Sequence, residues 1–249
     1  MVTPIHRAAL GAFVVLAVIT EASSGRGEEG TPVGEARRPA ALLFYPESPR
    51  AFDWRIGAGL LVDVLPLRVV ESEQRQIPQI TAAFRLGLPA GLAADLRARA
   101  IVIQNQLELG VSWSFRIKAL SLALHNHLGA WFGFVGFSGF DTSAWGLVET
   151  PGVSLGLPWR DVRFSLMGEA LFTFAQHTTL GDATTTSRQG ATFSGTAATL
   201  TVETLLDNAG VPYFGVGLLW TQPDYQAWLA FSDERARVIY PRFVGGYAF

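Results

Sequence analysis

Two histidines, His125 and His127, stand one residue apart in a stretch where polar and apolar side chains alternate. Alternation of this kind predicts a β-strand, on which residues i and i+2 point to the same face. Two imidazoles on one face are a frequent pair of metal ligands, but a metal site needs a third ligand, and the sequence identifies none. We therefore expect both histidines to belong to an ordinary strand end. The sequence predicts neither a metal nor a cofactor.

Hydrolytic chemistry is the second possibility that the residue types raise. A nucleophilic serine needs a base and an orienting carboxylate within reach. Ser121 and His125 share a predicted strand face, and Glu149 or Glu169 is the candidate acid. Lipid-A deacylases carry a His-x-Ser arrangement on one strand, and this chain has none. We expect no catalytic residue, and a hydrolase stays as an alternative.

Composition narrows the classes of protein to which the chain can belong. It has 249 residues, of which 49% are hydrophobic, and this excludes an intrinsically disordered chain. Only 16% of the residues are charged, against about 25% in ordinary soluble domains. A net charge of −2 offers no basic surface for nucleic acid. The absence of cysteine excludes a disulfide scaffold, a thiolate metal site and a cysteine nucleophile.

The first residues have the order of a secretory signal. His6 and Arg7 form a basic start, residues 8–20 are apolar, and small residues at 22–24 provide a cleavage site. We predict a signal peptide at 1–24 and a flexible mature N-terminus at 25–50. No later stretch has 18 uninterrupted apolar residues. An exported hydrophobic chain of this kind is either a soluble β-protein or a barrel that crosses an outer membrane with strands.

The rest of the chain alternates with a period of two in long stretches, among them 52–64, 99–116 and 162–174. Strands of about 9–11 residues or more match a tilted membrane crossing. In a membrane barrel the apolar face meets lipid and the polar face lines the lumen. On this interpretation the charged lumen-lining residues are Asp53, Arg55, Asp63, Arg85, Glu108, Arg116, Arg163, Glu169 and Glu203. Aromatic residues near predicted strand ends match interfacial girdles; they are Trp54, Trp113, Phe115, Trp131, Phe172, Phe174, Trp220 and Tyr247.

The positions of the turns favour ten strands. We predict them at 52–65, 78–88, 99–115, 117–128, 130–138, 147–157, 162–175, 191–206, 211–222 and 237–249. Short turns at 158–161 and 207–210 then fall on the periplasmic side, and connections at 66–77, 176–190 and 221–236 fall outside. A change of facing near Ile117 predicts a tight hairpin, with a β-bulge as the competing interpretation. His177 and Asp182 lie in the second external loop, where a surface protease carries its histidine and acids.

The last strand ends on Phe249, with Tyr247 two residues before it and Gly245 or Gly246 earlier still. This pattern resembles the C-terminal signature of Gram-negative outer-membrane β-barrels of the small single-chain kind. The glycine departs from the commonest spacing, and Pro241 interrupts the strand. The resemblance covers only the last dozen residues. It implies that the barrel-assembly machinery recognises Tyr247 and Phe249, and that outer-membrane lipids and lipopolysaccharide surround the chain.

Together these features predict an all-β chain that forms an antiparallel up-and-down transmembrane β-barrel over residues 51–249. About ten strands are expected, with eight or twelve as alternatives. Four arginines and five acids of the predicted lumen nearly neutralise one another, and ten strands leave little free space. We expect a structural or narrow-pore role in the cell outer membrane, without catalysis or a nucleic-acid partner. The alternatives are an outer-membrane hydrolase acting on lipid or peptide at the cell surface, and an exported soluble β-barrel that binds an apolar ligand.

Overall fold

The computed structural model describes residues 42–66, 76–101, 104–137, 140–181, 183–205, 210–222 and 237–249. These ranges form one closed barrel of ten antiparallel strands. In chain order the strands are β1 (Trp54–Val64), β2 (Gln76–Gly87), β3 (Leu92–Ala100), β4 (Gln104–Ile117), β5 (Leu120–Phe137), β6 (Phe140–Trp159), β7 (Val162–Leu180), β8 (Ala183–Thr204), β9 (Val211–Thr221) and β10 (Val238–Ala248). A short 3-10 turn at Pro89–Gly91 joins β2 to β3. Within this part of the chain no helix is long and apolar enough to cross a membrane.

Pairing of the last strand with the first closes the barrel. Each strand lies beside its neighbours in sequence, and β1 pairs with β10. The amide of Phe249 donates to the carbonyl of Ile56 at 2.7 Å, and the amide of Ile56 donates back at 3.2 Å. Pro241 lies one residue beyond the last β1–β10 pair, Asp63 with Arg242, and therefore outside that pairing. The predicted antiparallel up-and-down barrel of ten strands is confirmed.

The boundaries of the strands differ from the prediction in the first half of the barrel. Strand β3 was missed because its outward face is mostly alanine, which gives a weak strand signal. The predicted strands at 117–128 and 130–138 are one strand, β5, which continues through Gly129. A side chain at Gly129 would meet those of Glu108 and Val148, so this glycine makes room for its neighbours and does not end the strand. The two errors offset each other, so the predicted number is right.

The hairpin predicted near Ile117 is present in the structure, whereas the loop predicted at 176–190 is not. Strand β4 ends at Ile117 and β5 begins at Leu120, with Lys118 at a φ of 55° in the turn, so the tight hairpin is confirmed. The predicted loop at 176–190 is wrong, because β7 continues to Leu180 and β8 begins at Ala183. Both faces of this ribbon are polar, rich in threonine, and a period-two pattern is therefore invisible there. Asp182 lies outside the described residues.

The barrel has two distinct ends. At the terminal rim β1 begins and β10 ends, together with the short turns around 88–91, 118–119 and 160–161. At the far rim β1, β3, β5, β7 and β9 end and β2, β4, β6, β8 and β10 begin. Strands β5 to β8 have 18, 20, 19 and 22 residues. A membrane crossing needs about 9–11 residues. The additional residues of these four strands extend them past the other strands at the far rim.

Most of the large apolar side chains of the strands point outward, and most of their charged side chains point into the lumen. On β4, for example, Leu109 is 63% exposed while its neighbour Glu108 is 4% exposed. Every strand contributes at least one large apolar side chain to the outer surface, which we call the apolar belt. Its members include Leu60, Ile80, Leu92, Leu107, Leu109, Val111, Leu124, Leu128, Val153, Leu155, Leu157, Leu166, Leu200, Leu218 and Ile239.

Candidate functional site: the polar lumen

Ion pairs connect the strands across the inside of the barrel. Arg242 on β10 binds Asp63 on β1 through two contacts of 2.6 and 2.9 Å. Arg85 lies 3.1 Å from Asp95, and Arg99 lies 2.7 Å from Glu108. The longest reach is that of Arg97 on β3, which donates to Glu169 on β7 at 3.0 Å. Buried charges are tolerated when each has a partner, and these four pairs satisfy that condition.

A segment of the N-terminal region, residues 42–50, occupies the lumen near the terminal rim; we call it the inner segment. Glu203, which is fully buried, accepts hydrogen bonds from the backbone amides of residues 43, 44 and 45 at 2.6, 3.1 and 2.7 Å. Arg55 donates to the carbonyl of Leu42 at 2.5 Å. Tyr45 is 1% exposed. Residues 42–50 belong to the stretch expected to be flexible, and the structure places them inside the barrel because charged lumen groups satisfy their backbone.

The inner segment also contacts the opposite wall of the terminal rim. Arg85 donates to the carbonyls of residues 43 and 45, both at 3.2 Å. Glu47 accepts from Arg116 and, at 2.9 Å, from the hydroxyl of Ser121. The hydroxyl of Ser48 donates to the carbonyl of Gly91 at 2.6 Å. These contacts reach β2, β4, β5 and the β2–β3 turn, so the segment spans the mouth of the barrel.

The nine charged residues expected to line the lumen fall into two groups. Six have side chains inside the barrel: Arg55, Asp63, Arg85, Glu108, Glu169 and Glu203. Three lie at the terminal rim: Asp53, which is exposed just before β1, Arg116, which binds Glu47, and Arg163, which donates to the carbonyls of residues 160 and 162. Lumen charges that the sequence did not suggest are Asp95, Arg97, Arg99 and Arg242, the first three on the missed strand β3.

His125 and His127 both point into the lumen from β5, as the spacing predicts. Each ring lies over a glycine of the neighbouring strand: a Cβ at Gly110 would collide with the ring of His127, and one at Gly152 with the ring of His125. These glycines pair with the same histidines in the sheet register. The ring centroids are 5.3 Å apart. Glu169, which the sequence named only as one of two candidate acids for a serine site, has an oxygen 3.5 Å from Nε2 of His125.

The serine arrangement differs from the one considered in the sequence. Ser121 binds Glu47 at the terminal rim, and Glu149 points outward, where it accepts from Asn126 at 2.7 Å. The hydroxyl beside His125 is that of Ser154, 3.4 Å from Nδ1. His177 lies on β7 against the ring of Trp145, with 6.1 Å between centroids.

Two cavities among the described lumen residues are small. A cavity of about 40 Å³ borders the inner segment, His125 and Ser154. Another of about 30 Å³ lies toward the far rim beside Asp63, Arg99 and Arg242. One water needs about 10–15 Å³ of such volume, so each cavity holds only a few waters. A peptide or an acyl chain does not fit in either.

Aromatic side chains cluster at both rims. Trp54 with Phe84, Trp113 with Phe115, and Trp159 with Phe164 lie at the terminal rim, with centroids 6.3, 5.3 and 6.0 Å apart. Where β9 ends and β10 begins, Phe193 contacts Phe172 and Trp220, and the guanidinium of Arg237 lies 4.7 Å from the ring centroid of Phe193. Trp131 is not part of a girdle, because it points inward and packs over Gly146.

Comparison with known proteins gives a structural similarity only. No protein-family model matches the chain. No curated protein matches it either. Thirteen chains of solved structures match. One of them is the crystal structure of Neisserial surface protein A, which aligns with 78% of this chain and 94% of that chain at 8% identity and a TM-score of 0.35. At this identity and TM-score the similarity assigns neither a family nor a function.

Proposed function

We propose that the chain is an outer-membrane β-barrel with a structural role and a closed lumen. The observation that carries the proposal is the apolar belt, which encircles a barrel whose buried interior is polar. Soluble monomers rarely expose contiguous apolar patches of more than a few hundred Å². An aqueous environment therefore does not suit this outer surface, whereas lipid does.

The spacing of the aromatic clusters supports the same environment. Trp145 and Trp159 both point outward on β6, 14 residues apart. At about 3.3 Å per residue this is roughly 46 Å along the strand. At the tilt of about 35–45° usual for such barrels, it is about 33–38 Å along the barrel axis. A hydrocarbon core is about 30 Å thick, so the two tryptophans lie at the expected positions of its two interfaces.

A closed lumen fits the described residues better than a pore. The inner segment lies across the terminal rim, held by Glu203, Arg55 and Arg85. Four ion pairs also lie inside the barrel, and the two cavities described above are small. The barrel then acts as a scaffold in the membrane, and the long far-rim strands β5 to β8 are the part available to the cell exterior.

The alternatives are less well supported by the same observations. A soluble barrel that binds an apolar ligand needs its apolar faces inside, and the barrel has them outside. A hydrolase needs space for its substrate beside the serine, and the cavity at Ser154, of about 40 Å³, has room for only a few water molecules. A cleaved signal peptide at 1–24 and an address in the outer membrane belong to the proposal.

Membrane separation from a Gram-negative host tests the location. We expect the protein in the outer-membrane fraction after an alkaline carbonate wash, with release only by detergent. Recovery in the soluble fraction without detergent would contradict the proposal.

Conductance in planar lipid bilayers tests the closed lumen. We expect no stepwise current from the intact protein at moderate voltage. Steady open-channel steps from the intact protein would show that the lumen conducts and would replace the structural role with a pore.

A further inference from the structure

We propose that His125, His127 and Glu169 form a binding site for a divalent transition-metal ion, with Zn²⁺ the best-matched one, inside the barrel. This goes beyond the proposed structural role and does not depend on it. One ligand atom from each of the three residues can be chosen so that all lie within 4.8 Å of one another.

The donor set is one that transition metals prefer. Two imidazoles and one carboxylate bind Zn²⁺ in several classes of site, with a position left for water. A tetrahedral ion with ligand bonds of about 2.0–2.1 Å places its ligands about 3.3 Å apart. The three groups must therefore close by roughly 1.5 Å at most, which side-chain rotation can provide. Hard cations such as Mg²⁺ and Ca²⁺ favour oxygen ligands instead.

His127 gives an independent reason to expect a ligand at this place. Its side chain has no solvent exposure. Within the described part of the chain neither of its ring nitrogens has a hydrogen-bond partner, and the nearest carboxylate oxygen, on Asp95, is 3.9 Å away. A buried polar group without a partner is costly, and a metal ion bound at Nδ1 or Nε2 removes that cost.

The surroundings hold the other two ligands in a suitable orientation. Ser154 lies 3.4 Å from Nδ1 of His125, which leaves Nε2 free to face Glu169. Such a contact to the non-ligating nitrogen is typical of metal-bound histidines. Arg97 donates to Oε1 of Glu169, the same oxygen that faces His125, and so holds the carboxylate beside the ring.

The fold also provides the space. Gly110 and Gly152 lack the Cβ atoms that would collide with the two rings, so the rings lie flat against the neighbouring strands. The adjacent cavity of about 40 Å³ borders His125 and Ser154 and has room for the waters that complete the coordination. The positive charge of Arg97 opposes a divalent ion, so we expect moderate affinity. The bound ion would join β5 to β7 across the intervening β6.

Zinc titration of the folded full chain, without a histidine tag and after treatment with a chelator, tests the proposal. We expect one equivalent of Zn²⁺ per chain, with at least about 100-fold weaker binding after His127→Gln or Glu169→Gln. The matched control is His177→Gln, which makes the same change on the far part of β7 and leaves the affinity unchanged. Excess Mg²⁺ is expected not to displace Zn²⁺. No stoichiometric binding to the wild type, equal affinity of H127Q, or loss of binding in H177Q would overturn the proposal.

X-ray absorption at the zinc edge keeps the test valid even if a variant does not fold, because it uses only the wild-type protein. We expect scattering from two imidazole rings and at least one oxygen. A spectrum with only oxygen ligands, or with a single imidazole, would rule out the site.

Discussion

Replacement of Leu109 by arginine should have a large effect in lipid and almost none in water. Leu109 is 63% exposed on the outer face of β4. It lies four residues from Trp113, which is about 13 Å along the strand and about 10 Å along the barrel axis. This places the side chain well inside the apolar belt. Ile117 lies four residues on the other side of Trp113 and is 53% exposed.

A comparison of Leu109→Arg with Ile117→Arg separates the effect of depth in the bilayer from the other effects of an arginine substitution. An outward arginine costs about 2–4 kcal/mol near the middle of the bilayer and about 0–1 kcal/mol near an interface. In water, both exposed positions would tolerate the change to within about 0.5 kcal/mol. The difference between the two variants is therefore expected to be about 2–3 kcal/mol, or roughly 30- to 150-fold in the unfolding equilibrium.

Reversible denaturant unfolding in lipid vesicles measures this difference, with tryptophan fluorescence as the signal. Equal free energies of unfolding for the two variants, both within about 0.5 kcal/mol of the wild type, would refute the predicted position of Leu109 in the bilayer. A larger cost for Ile117→Arg than for Leu109→Arg would place the membrane elsewhere on the barrel.

Three further predictions concern the lumen and the closing strand. Glu203→Gln removes the charged acceptor of three backbone amides and should weaken the binding of the inner segment in the lumen by about 1.5–3 kcal/mol. Faster proteolysis at 42–50 and intermittent current in bilayers would show the weaker binding. An unchanged rate of cleavage would contradict the prediction. Removal of residues 247–249 should sharply lower the amount of membrane-inserted protein in cells, because it removes part of the β1–β10 pairing and two outward aromatic side chains. The control Ser187→Ala should leave that amount unchanged. Normal insertion of the truncated chain would count against both the closure of the barrel and the family resemblance. Gly246→Ala should destabilise the barrel by about 1–3 kcal/mol, since the new Cβ would collide with the carbonyl of residue 58. In Gly245→Ala the new Cβ makes only an ordinary contact at 3.7 Å. Equal unfolding midpoints for the two variants would refute this prediction.

The sequence was sufficient for properties that depend on local alternation. The period of two placed Leu109 outside and Glu108 inside, because neighbours on a strand point to opposite faces. The last residues identified the closing strand for the same reason. Strand β3 escaped prediction because alanines on its outward face carry little signal, and the ribbon of β7 and β8 did so because both of its faces are polar.

The lumen could be predicted only in part, since its contacts join residues far apart in the chain. Glu203 meets the backbone of Leu43 across 160 positions, and Arg97 meets Glu169 across 72. No local pattern announces such pairs. The two histidines were visible as an i, i+2 pair, but their third partner depends on which residue of β7, two strands along the barrel, lies at the same height. A glycine opposite each ring, Gly110 and Gly152, was the one signal that a cross-strand register could have revealed.

The outward position of the apolar belt in lipid is the central claim, and site-directed spin labelling tests it most directly. The chain has no cysteine, so single cysteines can be placed along β4 and labelled without other changes. Labels at Leu107, Leu109 and Val111 should collide often with oxygen dissolved in the lipid and rarely with a water-soluble nickel chelate. Labels at Gln106, Glu108 and Ser112 should collide little with oxygen, giving a period of two along the strand. The reverse periodicity, or high access of the nickel chelate to residue 109, would contradict the account.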